Sequence, residues 1–153
     1  MSPQVSFYIL QEDTLEARVG FSCRLAEKAW RNGVPTHIYM TSEQDVVALD
    51  AMLWSYREDS FLPHTNLNSN KNAADEKDIQ VPVTLGSKQE QLPDRSGLLI
   101  NLGETIPTAI DSFERVAEVV VQEQSILELA RSRFRQYKER GLTPQHQKVG
   151  KSS

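Results

Sequence analysis

Apolar and polar residues alternate along this chain in blocks that switch between strand and helix spacing. Val5-Ser6-Phe7-Tyr8-Ile9-Leu10 is a short apolar run rich in β-formers and predicts a strand. Leu15, Val19, Cys23, Ala26 and Trp30 then recur at helical spacing. Asp13 is the expected N-cap of that helix, Glu16 stands at the capping-box position, and Asn32-Gly33 ends it. Val34 to Met40 predicts a second strand, with Pro35 tolerable at its start. Ser42, with Asp45 three residues on, opens a second helix whose apolar side is Val46, Leu49 and Leu53. Strand, helix, strand, helix is the pattern of a parallel α/β sheet.

The second half is less regular. Residues 65–77 are polar and Asn-rich and predict an exposed loop. Ile79 to Leu85 alternates apolar with polar and suits a strand near an edge, whereas Gly97 to Leu102 is the most apolar short run and suits a central one. A short helix is expected over Pro107 to Phe113 and a last strand over Arg115 to Val121. Ser125 is the expected cap of a final helix reaching about Arg140, stopped by Gly141 and Pro144. The expected fold is α/β: one domain over residues 1–142, with a mostly parallel sheet of about five strands flanked by helices. Residues 143–153 are polar and expected to fray.

The 153 residues suffice for one genuine core. With 39% hydrophobic and 25% charged residues, the composition excludes a disordered chain. A net charge of -4 argues against tight, sequence-independent DNA binding. Cys23, the only cysteine, reads as a small buried group in a reducing compartment. The first residues lack a basic stretch followed by an apolar run, and no run is long enough to span a membrane, so a cytoplasmic protein is expected.

The layout invites a nucleotide reading, which the turns oppose. The turn after the first strand is Gln11-Glu12-Asp13-Thr14, where a phosphate would meet carboxylates instead of glycine backbone amides. No phosphate-binding Gly-Lys-Ser or Gly-Lys-Thr loop occurs. His37, His64 and His146 are scattered, and neither a metal cluster nor a serine nucleophile elbow is visible. No catalytic residue, cofactor or metal is expected. A divergent nucleotide-dependent α/β enzyme remains the alternative.

Two constellations stand out instead. Trp54 and Phe61 lie close together where the second helix ends, just before Leu62-Pro63-His64. Either they seal the core or they form a surface for another protein. In the last helix, Ile126, Leu129, Ala130 and Tyr137 share one face at about 100° per residue. Leu127 and Phe134 border that face, with Arg131, Arg135 and Lys138 just outside them. Such an edge is either a solvated face or a receptor for a ligand that joins an apolar group to a carboxylate.

With these residues the chain resembles the chi-subunit family of the bacterial DNA polymerase III holoenzyme. The likeness covers roughly residues 5–142 and rests on Ser6 to Leu10, Ala26 to Gly33, Leu49-Asp50 to Leu53-Trp54, Ser60-Phe61-Leu62-Pro63-His64, and Ser125 to Tyr137 with Leu129-Ala130-Arg131. The resemblance implies a nucleotide-binding-like fold without nucleotide chemistry, and two protein surfaces. One holds the psi subunit of the clamp loader, with Trp54, Phe61, Pro63 and His64 on or beside it; an accessory helicase competes for that surface in some bacteria. The other binds the acidic C-terminal tail of single-stranded DNA-binding protein, which ends in Phe with its free carboxylate. Arg131 matches the key arginine of that second surface. Val120, Phe134 and Arg135 match positions around it, Phe134 in place of a tyrosine. Leu127 stands where a family member carries lysine, which removes one positive charge, and Lys138 extends the basic edge.

Overall fold

The computed structural model describes residues 3–54, 64–66, 83–87, 97–107 and 110–149. The strands are β1 (Gln4–Leu10), β2 (Thr36–Tyr39), β3 (His64–Asn66), β4 (Val83–Gly86), β5 (Leu98–Asn101), β6 (Arg115–Val120) and β7 (Gln145–Val149). Among the described residues the helices are α1 (Leu15–Arg31), α2 (Glu43–Trp54) and α3 (Gln124–Glu139), with a 3-10 turn at Ile110–Ser112. One 7-stranded sheet runs in the order β3-β4-β2-β5-β6-β1-β7, and every strand pair is parallel.

Every residue of β2, β4 and β5 is buried, as expected for strands covered on both faces. Leu98 to Asn101 falls at the middle of the sheet, in keeping with its apolar run. At Gly97 an added Cβ would lie only 1.9 Å from the carbonyl oxygen of Pro35, so the chain entering β5 passes too close to β2 for any side chain. Among the described residues no helix is long and apolar enough to cross a membrane.

Several boundaries differ from the sequence pattern. The N-cap of α1 is Thr14, whose hydroxyl accepts from Ala17 N at 3.1 Å, and not Asp13. Leu15, assigned to the buried stripe, is 63% exposed as the first residue of the helix. Glu123, and not Ser125, caps α3: its carboxylate accepts from Ile126 N at 3.0 Å and from the Ser125 hydroxyl. Those hydrogen bonds, the Ser125 hydroxyl first, hold the Glu123 carboxyl below the usual carboxylate range. Ser42 does open α2, accepting from Gln44 N at 3.1 Å.

Among the described residues the sheet has two strands beyond the five expected, and both are polar edge strands. β3 occupies His64–Asn66, at the start of the stretch assigned to a loop. β7 occupies Gln145–Val149, inside the tail expected to fray. A polar edge strand is held through its backbone on one side, so it leaves no apolar alternation to read.

Candidate functional site

Ile126, Ala130, Arg133 and Tyr137 form the buried stripe of α3. Leu129, assigned to that stripe, is 37% exposed and turned away from it. One step around the helix, Leu127 and Phe134 are half-buried against the core. The Phe134 ring packs edge-on against Phe7 of β1, with centroids 5.3 Å apart, and lies 4.8 Å from the His146 ring of β7.

Between this edge of α3 and the sheet lies an open hollow of about 520 Å³. Phe7, Ile9 and Val120 supply its apolar floor, and Leu127 and Phe134 its wall. Arg131 and Arg135, both exposed, stand at its rim, and His146 closes another side. Val120, Leu127, Arg131, Phe134 and Arg135, singled out from the sequence, therefore come together around one space. Lys138 does not line it; its ammonium lies 5.1 Å from the Phe134 ring centroid, within cation–π range.

The second constellation falls largely outside the described residues. Trp54 is the last residue of α2 and His64 the first of β3, with neither side chain described. Phe61 and Pro63 lie outside the described residues altogether.

A buried polar network, missed in the sequence, backs α3. Glu118 of β6 accepts from Arg133 Nε at 3.0 Å, from the Tyr137 hydroxyl at 2.7 Å and from Asn101 Nδ2 at 2.9 Å. Arg133 also donates to the Glu104 carbonyl at 3.2 Å, and Asn101 Oδ1 accepts from Gly103 N at 2.9 Å. Burial first, then the Glu118 charge, pushes the Tyr137 hydroxyl far above the phenol range. The readable signal was a lone Glu within an apolar strand and a lone Arg on an apolar helical stripe.

Glu118 is fully closed to solvent and already accepts three hydrogen bonds, so the network suits fixing α3 on the sheet better than proton transfer. Burial, and then Arg133, bring the nearby Arg18 guanidinium down to about 10; its Nε donates to the Val119 carbonyl at 2.7 Å. Burial pushes the Cys23 thiol up to about 11, which suits a packing residue better than a nucleophile. Among the described residues no group of three or more His, Cys, Asp or Glu could hold a metal ion.

Comparison with known proteins bears on this geometry. The family described as DNA polymerase III chi subunit, HolC, matches residues 2–145. DNA polymerase III subunit chi of Pseudomonas aeruginosa is 38% identical over 146 residues, covering 95% of this chain and 96% of that protein. Its namesake in Haemophilus influenzae is 28% identical over 150 residues, covering 98% and 100%. A crystal structure of a DEAD box protein from Methanococcus jannaschii aligns with a TM-score of 0.61 at 12% identity, over 95% of this chain and 42% of that one. The chain thus spans under half of that protein, and the likeness shows the shared fold alone. Matched along nearly its whole length by family and relatives, the chain belongs to the DNA polymerase III chi subunit family.

Proposed function

We propose that the chain is a non-catalytic, cytoplasmic adaptor of the replicative DNA polymerase III. In this reading the hollow beside α3 receives the acidic C-terminal tail of single-stranded DNA-binding protein. The observation that carries it is the meeting of an apolar slot and a guanidinium rim. Phe7, Val120, Leu127 and Phe134 offer a place for a terminal aromatic ring, and Arg131 and Arg135 stand where its carboxylate would lie. Arginine binds a carboxylate through two parallel hydrogen bonds, and it does so most strongly beside apolar surface that excludes water. Leu127, where a family member carries lysine, lowers the charge of the rim but adds to the apolar wall.

A second surface, around Trp54, Phe61, Pro63 and His64, holds the psi subunit and through it the clamp loader. An accessory helicase competes for that surface where one exists. This part of the proposal rests on the family likeness and on the clustering of aromatics after α2.

The test is titration of a labelled acidic peptide ending in Phe, with its free carboxylate, into wild type and Arg131→Ala. Wild type should bind, and the variant should lose about 2–5 kcal/mol of affinity with its circular dichroism unchanged. A parallel thermal-shift series with ATP, GTP and NAD separates the enzyme alternative, since a ligand of the native state raises apparent stability. Stabilisation by a nucleotide and not by the peptide would overturn the adaptor reading.

A further inference from the structure

The family match ends at residue 145, where β7 begins, so nearly all of this strand lies outside it. β7 pairs in parallel with β1, placing His146 opposite Phe7 and Lys148 opposite Ile9. Side chains alternate across a strand. Gln145 and Gln147 line a hollow on the α1 face, together with Leu25 and Lys28. His146 lines the hollow beside α3 and lies against Phe134. Lys148, two residues on, falls on the same face as His146, next to Ile9 on the floor of that hollow.

The apolar slot is therefore flanked on two sides. Arg131 and Arg135 line it along α3 and His146 along β7, while Lys148, without lining it, sits on β7 opposite Ile9 of its floor. Among the described residues that line the hollow, Arg131 and Arg135 are charged and there is no Asp or Glu. Residues 145–148 are all exposed, and the strand itself is held by backbone pairing to β1. Neither His146 nor Lys148 is therefore needed to seal a core.

The geometry points to β7 as the second wall of the peptide site, with His146 and Lys148 as affinity-setting residues. His146 covers the edge of the slot that takes the terminal aromatic ring. Lys148 faces the acidic residues that precede that ring in an extended peptide. This assignment rests on the peptide reading above.

Two variants isolate the strand. Lys148→Gln and Gln147→Glu make the same change in net charge at adjacent positions, on opposite faces of β7. The labelled acidic Phe-ended peptide is titrated into each full-length variant and into Arg131→Ala at low salt, with thermal midpoints as folding controls. Lys148→Gln should weaken binding roughly two- to fivefold, the range of an exposed charge pair, and Gln147→Glu should leave it close to wild type. His146→Ala should cost more with the Phe-ended peptide than with a peptide lacking that Phe. Equal weakening by Lys148→Gln and Gln147→Glu, or no effect of Lys148→Gln, would overturn the second wall. If Arg131→Ala loses binding while Lys148→Gln does not, only the β7 assignment fails. If Arg131→Ala binds as wild type does, the peptide reading itself fails.

Discussion

Arg133 of α3 places its Nε 3.0 Å from Oε1 of Glu118 in β6, with 2% and 0% of the two side chains open to solvent. A buried ion pair of this kind adds little to stability over a well-packed apolar pair, but losing one partner leaves an uncompensated charge. Here the pair ties the helix that carries Arg131 and Phe134 to the middle of the sheet, and ties both to the Glu104 backbone.

Removing one partner should therefore cost far more than removing both. Arg133→Ala is expected to lose about 3–5 kcal/mol of stability, and Glu118→Leu with Arg133→Met and Tyr137→Phe, which leaves no orphaned hydroxyl, clearly less. Urea midpoints of the two variants check this. A loss below about 1 kcal/mol for Arg133→Ala would mean that water or a neighbour takes over the Glu118 charge.

Peptide binding at the α3 hollow should combine two forces. Arg131, Arg135 and Lys138 attract an acidic peptide over distances that 0.1 M salt screens at about 10 Å. The apolar floor of Phe7, Ile9 and Val120 is indifferent to that screening. Deleting the terminal Phe from the peptide should thus weaken binding more than raising the salt moderately. Titrations of both peptides across a salt series decide it; equal affinities would show that the slot is unused.

Trp54 and Phe61 are expected to anchor psi, each costing about 2 kcal/mol or more of binding on truncation. If they were core residues instead, truncation would cost about 3–5 kcal/mol of stability. Trp54→Ala and Phe61→Ala should keep near-wild-type urea midpoints and lose co-purification with psi. A large fall in midpoint, or retained psi, would return the aromatics to the core.

Cys23 should be silent in the folded protein. Its thiol, raised to about 11 by burial, stays protonated well above the ordinary thiol value of about 8.5. Between these values the unfolded chain loses its proton and the folded chain keeps it, so this group's contribution to stability falls as pH rises from about 8.5 to 11. Native protein should react with a thiol reagent far more slowly than urea-unfolded protein at pH 8. Comparable rates would place the thiol at the surface.

Periodicity carried much of this architecture. The five stretches assigned to strands became β1, β2, β4, β5 and β6, with the alternating Ile79–Leu85 stretch giving β4 next to the edge and the most apolar run giving β5 at the middle. The basic edge of α3 was equally legible, since a 3.6-residue repeat assigns Leu127, Phe134, Arg131 and Arg135 to neighbouring positions on one helix. The missing phosphate loop was legible too, being a matter of residue types in a single turn.

Neighbourhood, by contrast, belongs to the tertiary structure. Phe7, Val120 and His146 come from three strands that adjoin only because the sheet order is β6-β1-β7, which no local repeat encodes. β7 itself was invisible because a polar edge strand is recruited by backbone hydrogen bonds, and every residue brings the same amide and carbonyl. The Glu118–Arg133 pair was hidden for a related reason. Each charge looked like an interruption of its own element, and only the packing of α3 on β6 made the two interruptions meet. Sequence determined which faces are apolar and which are charged; the fold decided which of those faces touch, because contact between distant segments depends on where the whole chain places them.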